Sequence, residues 1–387
     1  MPEPAADLGS IVRGSLGRLS GEADALVAHF YAALFTAAPA LREMFPVAMD
    51  HQRDRLFKAL CDAAGLLDDP ARLDRYLSQL GRDHRKYGVV PEHYAPVGEA
   101  LMATLRAHAG EAWTAPEAEA WAAVYNHMAS VMIAAAEEDA AAHPPVWSAV
   151  VVDHQLRTPD VAVLTVRPDQ YYPYRAGQYA TVETGRWPRV WRPYSIANAP
   201  RPDGLLTLHV RAVPAGWVSS ALVRHTGVGD VIRLGPARGS MVVAGELTRR
   251  VLCVGGGTGL APVKALAEEM VTVNRPPSLH LFFGARTREE LYDWADLERM
   301  ASFYPRLLAV PVVSDDPGWS GVRGTLSEVL PAQGRWTDHE AFVSGPDPMV
   351  RSVVAWLRSE GVPEERLHFD LFGPDGERAP ARVPAGV

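Results

Sequence analysis

Trp191-Arg192-Pro193-Tyr194-Ser195-Ile196-Ala197-Asn198 is the stretch on which the reading of the chain turns. An arginine, a hydroxylated aromatic and a serine at i, i+2 and i+3 of an extended segment can serve a flavin: Arg192 a phosphate, Tyr194 the ring face, Ser195 the N5 edge. Arginine suits a phosphate because its planar fork makes two parallel charge-assisted hydrogen bonds. An ordinary strand with an exposed arginine carries the same residues, so the stretch needs support from the rest of the chain.

Downstream, Val251-Leu252-Cys253-Val254 reads as a buried strand, followed by Gly255-Gly256-Gly257-Thr258-Gly259 and a helix over Leu260–Met270. Strand, glycine turn and helix make a dinucleotide cradle, in which Gly256, Gly257, Thr258 and Gly259 allow the tight turn and helix amides meet phosphate. The turn departs from the dehydrogenase fingerprint. Pro262 stands where Gly or Ala is expected, and the acidic residue about 20 positions further on that would hold a ribose hydroxyl is missing. A second strand, Leu279–Phe283, ends in Gly284-Ala285-Arg286-Thr287-Arg288. Arg286 or Arg288 can meet a 2′-phosphate, and equally both can be solvated arginines at a helix start, which leaves NADH and NADPH open.

Upstream, Pro144-Pro145 separates two patterns. After it, Trp147, Ala149 and Val151 alternate with Ser148, Val150 and Val152, and Val161, Val163, Thr165 and Leu206, Leu208, Val210 do likewise. Short strands between Gly and Pro turns predict an antiparallel barrel over 144–246. Before it, Leu26, Phe30, Leu34 and Leu56, Leu60, Ala64 recur every four residues, and Leu73, Leu77, Leu80, His84 run at helical spacing. Residues 1–143 are therefore predicted to be all helix. His84 in line with three leucines is either a satisfied core histidine or a metal ligand. His29, His93, His108 and His127 carry similar arguments, so periodicity does not choose the ligand.

The chain has 387 residues, long for one core, and only Cys61 and Cys253, which excludes a disulfide framework or a cysteine-rich metal site. The net charge of −8 argues against nucleic acid or an acidic membrane as partner. No apolar run is long enough for a membrane span, and Met1-Pro2-Glu3-Pro4 lacks the features of a secretory signal, so a cytoplasmic protein is expected.

His29-Phe30-Tyr31, Pro39 to Phe45, His51-Gln52-Arg53 leading to Leu56-Phe57, and His84 followed by Tyr87-Gly88-Val89-Val90-Pro91-Glu92-His93-Tyr94 resemble the globin domain of flavohaemoglobins. The resemblance implies haem b with His84 as axial ligand. Tyr31, Gln52 and Leu56 then line the distal pocket, Phe45 packs on the porphyrin, and Tyr94 joins the proximal network. Tyr31 and Phe45 are also compatible with plain core aromatics. Two positions depart from the family: Ala136 stands where a carboxylate usually completes the proximal network, with Glu137 one residue on, and Asp83 stands where Lys is common.

Tyr174-Arg175-Ala176-Gly177-Gln178-Tyr179 and Arg192–Ser195 resemble the flavin-binding barrel of the ferredoxin-NADP reductase family. Gly216-Trp217-Val218-Ser219-Ser220 sits where that family begins a short helix against the FAD pyrophosphate. Leu291-Tyr292 and the late turn Ser344-Gly345-Pro346 are similar to its NAD(P)-binding domains, Ser344 replacing a common Cys beside the nicotinamide. Phe369-Asp370-Leu371-Phe372-Gly373 resembles the flavohaemoglobin C-terminus, with Phe372 covering the flavin, and the Pro- and Ala-rich tail from Pro374 is expected to be disordered.

The expected architecture is a multidomain chain: an all-α globin (1–143), an antiparallel β-barrel FAD domain (144–246) and an α/β parallel-sheet NAD(P)-binding domain (247–387). The implied activity is nitric oxide dioxygenation, NO to nitrate with O2, electrons passing from NAD(P)H to FAD to haem. No obligate protein partner is expected. The alternatives are a haem-flavin oxidoreductase with a different donor or acceptor, and an oxygen-binding or sensing globin kept ferrous by its reductase domain.

Overall fold

The computed structural model describes residues 8–47 and 49–371, with the side chains of 50–54 outside the described set. Phe372 and the tail from Pro374 lie outside the described residues as well. The chain divides into two compact units, Met1–Val146 and Trp147–Val387.

The first unit is helical: α1 (Leu8–Leu19), α2 (Ala23–Ala37), α3 (Asp50–Gly65), α4 (Pro70–His84), α5 (Tyr94–Ala109) and α6 (Ala115–Ala140). The boundaries have local causes. Asp69 accepts the Arg72 N–H at 3.1 Å and Pro70 presets the first turn of α4; Thr114 caps Glu117 at 3.4 Å ahead of Pro116 in α6. The four-residue apolar rows face inward, with Leu26, Phe30 and Leu34 buried on α2 and Leu73 and Leu77 on α4. Leu80 and His84, one turn further, are half-buried. Between them Gly81 lets α4 meet α6 main chain to main chain: a Cβ there would overlap the Met132 carbonyl and stand 2.7 Å from Met132 Cα.

The second unit joins two sheets. The first holds β1 (Trp147–Thr158), β2 (Val161–Pro168), β3 (Tyr179–Thr184), β4 (Arg192–Ser195), β5 (Leu206–Arg211) and β6 (Val231–Leu234), with α7 (Trp217–Arg224) before β6. Its order is β4-β3-β6-β1-β2-β5, all pairs antiparallel, and an Ile196–Leu208 bridge draws the two edges together into a nearly closed barrel. On β1 the expected alternation holds: Trp147, Ala149 and Val151 are buried, Ser148 and Val150 exposed.

The second sheet holds β7 (Arg250–Gly256), β8 (Leu279–Ala285), β9 (Leu307–Val313), β10 (Val322–Arg323), β11 (His339–Ser344) and β12 (Leu367–Phe369). Four helices accompany it: α8 (Leu260–Glu269), α9 (Trp294–Phe303), α10 (Leu326–Gln333) and α11 (Asp347–Ser359). All pairs are parallel, in the order β10-β9-β8-β7-β11-β12. The winding reverses between β7 and β11, the crevice where open α/β sheets bind ligands. The second strand, expected over Leu279–Phe283, runs two residues further to Ala285, so Gly284 lies inside β8, where a Cβ would stand 2.5 Å from Leu326 Cδ1.

β2 breaks the alternation because both its faces are covered. Ala162, Leu164 and Val166 fill the barrel, whereas Val161 and Val163 join the core of the parallel-sheet domain with Leu260, Val263 and Leu266 of α8. Among the described residues no helix is long and apolar enough to cross a membrane.

Gly81→Ala is expected to destabilise the helical unit by about 1–3 kcal/mol, since α4 and α6 must part to admit the methyl. Thermal unfolding followed by far-UV circular dichroism checks this; an unchanged midpoint means that the two helices have slack there.

Candidate functional site

The helical unit brings His84 to the last residue of α4, where its Nδ1 lies 2.7 Å from the Leu80 carbonyl one turn back. A carbonyl only accepts, so Nδ1 carries the proton and Nε2 keeps its lone pair, the tautomer that a metal ligand needs. Burial lowers the pKa of the imidazole against the raising effects of the Leu80 carbonyl and Asp83, which favours the neutral ring. Among the described residues no group of three His, Cys, Asp or Glu side chains could hold a bare metal ion. A donor set of one neutral imidazole would fit an iron whose remaining ligands come with a porphyrin.

Tyr31 is 5% exposed and sits in an aromatic nest: it stacks on Phe35 at 5.6 Å and meets Phe45 edge-on at 5.5 Å and Phe30 at 5.1 Å. Leu56 packs half-buried against the same core. Gln52 lies on α3, but its side chain is outside the described residues. Tyr94, the first residue of α5, packs with Leu80 and Met132, and burial raises its pKa. Its carbonyl accepts the Tyr125 hydroxyl at 2.5 Å. Tyr125 was not foreseen; it lies on α6 among residues whose helical spacing reads simply as core, and only the packing of α6 on α5 at Gly98 brings it to Tyr94.

The proximal carboxylate question has a structural answer. α6 runs unbroken through Ala136 and leaves Glu137 exposed, so no local shift turns it inward. Of the next α6 acids, Glu138 pairs with Arg82 of α4 at 3.0 Å and Asp139 with Arg85, the residue after α4. The His84 Nδ1 proton therefore goes to a neutral carbonyl rather than a carboxylate.

On the barrel, β3 and β4 pair so that Tyr179 faces Ser195 and Ala180 faces Tyr194. Strand alternation places Arg192 and Tyr194 on one face and Ser195 on the other, beside Tyr179. Arg192 is half-buried and its guanidinium donates to the Trp191 carbonyl at 3.0 Å; burial raises the pKa of Tyr194, which stays a phenol. Gly216 caps α7 in a tight turn in which the Ser219 hydroxyl donates to the Gly216 carbonyl at 3.2 Å and accepts the Val213 N–H at 3.3 Å. A Cβ on Gly216 would stand 2.5 Å from Val213 Cγ2, so the chain's own turn already requires glycine. Val218 is buried in the barrel core, which leaves its main-chain N–H, with its helix-start neighbours, as the group available to an anion.

At the crevice of the parallel sheet two glycine turns interlock. Ser344 pairs with Gly255 across β11 and β7, and a Cβ on Gly259 would overlap Gly345 Cα and N. Gly256 faces Met349 and Pro346 the same way, and Gly257 has φ 54°, left-handed backbone that favours glycine. Thr258 completes the turn, and Pro262 is buried in the first turn of α8, where a missing N–H costs nothing. This bare main-chain concavity at a helix start fits a dinucleotide phosphate. Ser344 is buried at its floor. Arg286 is exposed and forked onto Glu290, and Arg288 is matched to Asp316 at 2.6 Å, so a 2′-phosphate would have to displace a carboxylate at either one.

Comparison with known proteins matches these three regions. A globin family model matches residues 28–132, an oxidoreductase FAD-binding domain 148–242 and an oxidoreductase NAD-binding domain 253–355. The chain is 28% identical over 400 residues to a flavohemoprotein of Rhodopirellula baltica, covering 95% of this chain and 97% of that one. It is 31% identical over 241 residues to the ferredoxin–NAD(P)(+) reductase component of a naphthalene 1,2-dioxygenase system of Pseudomonas putida, covering 60% of this chain and 71% of that one. A crystal structure of a flavohemoglobin from Malassezia yamatoensis with bound FAD and heme superposes with a TM-score of 0.77 at 18% identity, covering 95% of this chain and 99% of that chain.

His84→Ala is expected to abolish the Soret band or restore it only with an added exogenous ligand, while flavin reduction persists; an unaltered spectrum rules out His84 as the ligand. Gly259→Ala is expected to slow flavin reduction by NADH by at least about tenfold with FAD content unchanged, the equivalent of 1.4 kcal/mol lost at the cradle. Rapid anaerobic mixing reads that rate, and parental kinetics would remove the turn from the nucleotide site.

Proposed function

We propose that this chain, which belongs to the flavohaemoglobin family by its globin, FAD-binding and NAD-binding domains in that order, is a nitric oxide dioxygenase that converts nitric oxide and O2 to nitrate. It is an NAD(P)H-dependent oxidoreductase that carries haem and FAD. When bound, haem supplies a redox-active iron, and FAD the conversion of a two-electron hydride into single electrons.

The chain's own residues have distinct tasks. His84 offers Nε2 while the Leu80 carbonyl holds the Nδ1 proton and the ring orientation. Tyr31 is assigned the first distal hydroxyl donor; the apolar Phe35, Phe45 and Leu56 packed in the same core suit small gases. Gln52 is assigned the second donor on its resemblance alone. Tyr94 and Tyr125 brace the α5–α6 contact, with Tyr94 packed in the cluster that holds Leu80. Arg192, Tyr194, Ser195 and Tyr179 hold FAD with the α7 amides, and Gly256 to Gly259 with Ser344 and Gly345 hold the nucleotide.

The observation that carries the reading is the His84 tautomer within a helical unit fused to a reductase. One observation favours a second reading, a haem-flavin oxidoreductase with another acceptor such as a peroxide or quinone. With Glu137 turned to solvent, His84 is bonded to a carbonyl, a weaker base than a carboxylate, and donates less electron density to iron.

The two separate in one experiment. Protein reduced with NADH, exposed to air and then given nitric oxide is expected to form nitrate in proportion to the nitric oxide consumed. Little nitrate with brisk NADH oxidation by a peroxide or quinone supports the second reading, and tight oxygen binding with little turnover of anything supports a binding or sensing globin. Tyr31→Phe is expected to slow nitrate formation about tenfold, the loss of one hydrogen bond to a reacting group; an unchanged rate takes the hydroxyl out of the pocket chemistry.

A further inference from the structure

His209 stands at an outward position of β5, opposite Val163 of β2, yet it is 3% exposed because the parallel-sheet domain covers that face of the barrel. Its Nδ1 lies 2.9 Å from the Tyr292 hydroxyl, a bond from the barrel to the nucleotide domain. Burial and the nearby Lys264 and Arg157 hold the imidazole neutral, and burial keeps Tyr292 a phenol. Nε2 is the edge turned to the Asp293 carboxylate, so the proton of the neutral ring is assigned to Nε2 and Tyr292 donates to Nδ1.

Among the described residues no hydrogen bond reaches that Nε2–H or Asp293 Oδ1. The two side chains face each other, Nε2 standing 3.9 Å from Asp293 Oδ2, and Arg157 of β1 stands 3.8 Å from Oδ1. Both separations are just outside hydrogen-bond reach. Asp293 itself is 1% exposed and anchored from behind by Lys264 of α8 at 2.5 Å, which also reaches Asp296 at 3.0 Å. α8 is the helix that opens at the Gly257–Gly259 turn. The carboxylate is thus fixed to the cradle helix and faces one buried barrel donor without a hydrogen bond, His209 Nε2, and the solvent-exposed guanidinium of Arg157 at the rim.

We propose that His209, Tyr292, Asp293 and Arg157 form a latch between the FAD barrel and the nucleotide domain, and that they are positioning residues that set the approach of the nicotinamide to the flavin. A slight advance of the nucleotide domain turns both near-contacts into charge-assisted hydrogen bonds, and α8 carries the motion to the cradle. The reaction that the latch serves moves a hydride, two electrons and a proton, from the dihydronicotinamide carbon to the flavin nitrogen, leaving oxidised nucleotide and reduced flavin. The latch exchanges no atoms in it. The inference rests on NAD(P)H as hydride donor to the flavin and is independent of which gas reacts at the haem.

Full-length holoprotein mixed anaerobically with NADH, with flavin bleaching followed in time, tests it. Tyr292→Phe and Asp293→Asn are expected to lower the limiting rate of flavin reduction about ten- to a hundredfold, the loss that a small misplacement of reacting atoms produces. NADH half-saturation, flavin content and the Soret band stay at parental values, and the long-wavelength charge-transfer absorbance of stacked nicotinamide and flavin weakens. His209→Gln, which keeps a donor near the Nε2 position, retains more of the rate than His209→Leu. Parental limiting rates in the folded variants, equal losses in the Gln and Leu variants, or lost NADH affinity at an unchanged limiting rate would each overturn the latch. Should Asp293→Asn shed its flavin, Tyr292→Phe, which removes one hydroxyl, and Arg157→Met, at the rim of the cluster, decide the matter. If NADH fails to reduce the parent protein, it is the nucleotide reading that falls, a result separate from any difference among variants.

Discussion

The seam between the barrel and the parallel sheet is the constraint on which electron flow depends. Val161 and Val163 point away from the barrel and would be solvent-facing in a free one; here they are buried with Leu260, Val263 and Leu266. Each such side chain contributes roughly 1.5–3 kcal/mol when removed from water. The same strand fills the barrel with its other face, so the flavin barrel and the nucleotide cradle cannot separate without exposing apolar surface on both. Hydride transfer requires that proximity, because the reacting atoms must come within contact of each other.

Polar groups on the same seam serve geometry more than stability. Desolvating Lys264 and Asp293 costs several kcal/mol per ion, which their mutual attraction roughly offsets, so the pair adds little net stability. What it does is hold a carboxylate in one place, on the helix that opens at the Gly257–Gly259 turn. A hydrophobic pair would pack equally well and leave that placement undefined.

In the helical unit the decisive feature is where one proton goes. His84 donates to its own helix through Leu80, and Glu138 and Asp139 of α6 are taken up by Arg82 and Arg85. A close relative in domain order can therefore differ in how strongly its proximal histidine donates to iron, since that strength follows the basicity of the group behind the ring. Fusion to a reductase and a particular oxygen chemistry are separable properties of the chain.

Periodicity in the sequence determined the three regions and their classes, because helix and strand faces must repeat at 3.6 and 2 residues to bury one side. The glycine turn at 255–259 was legible because close main-chain approach restricts the residue types allowed, and the structure bears out Arg192–Ser195 as a strand. Histidine choice was not legible from spacing; the resemblance selected His84, and only the structure shows its Nδ1 tied to the Leu80 carbonyl. Only the tertiary structure decided that Glu137 faces solvent, that Tyr125 reaches Tyr94, and that His209, outward by alternation, is buried against Tyr292. Those outcomes depend on which surfaces of distant segments meet, and a local pattern of polar and apolar residues reports that a face is covered without saying by what.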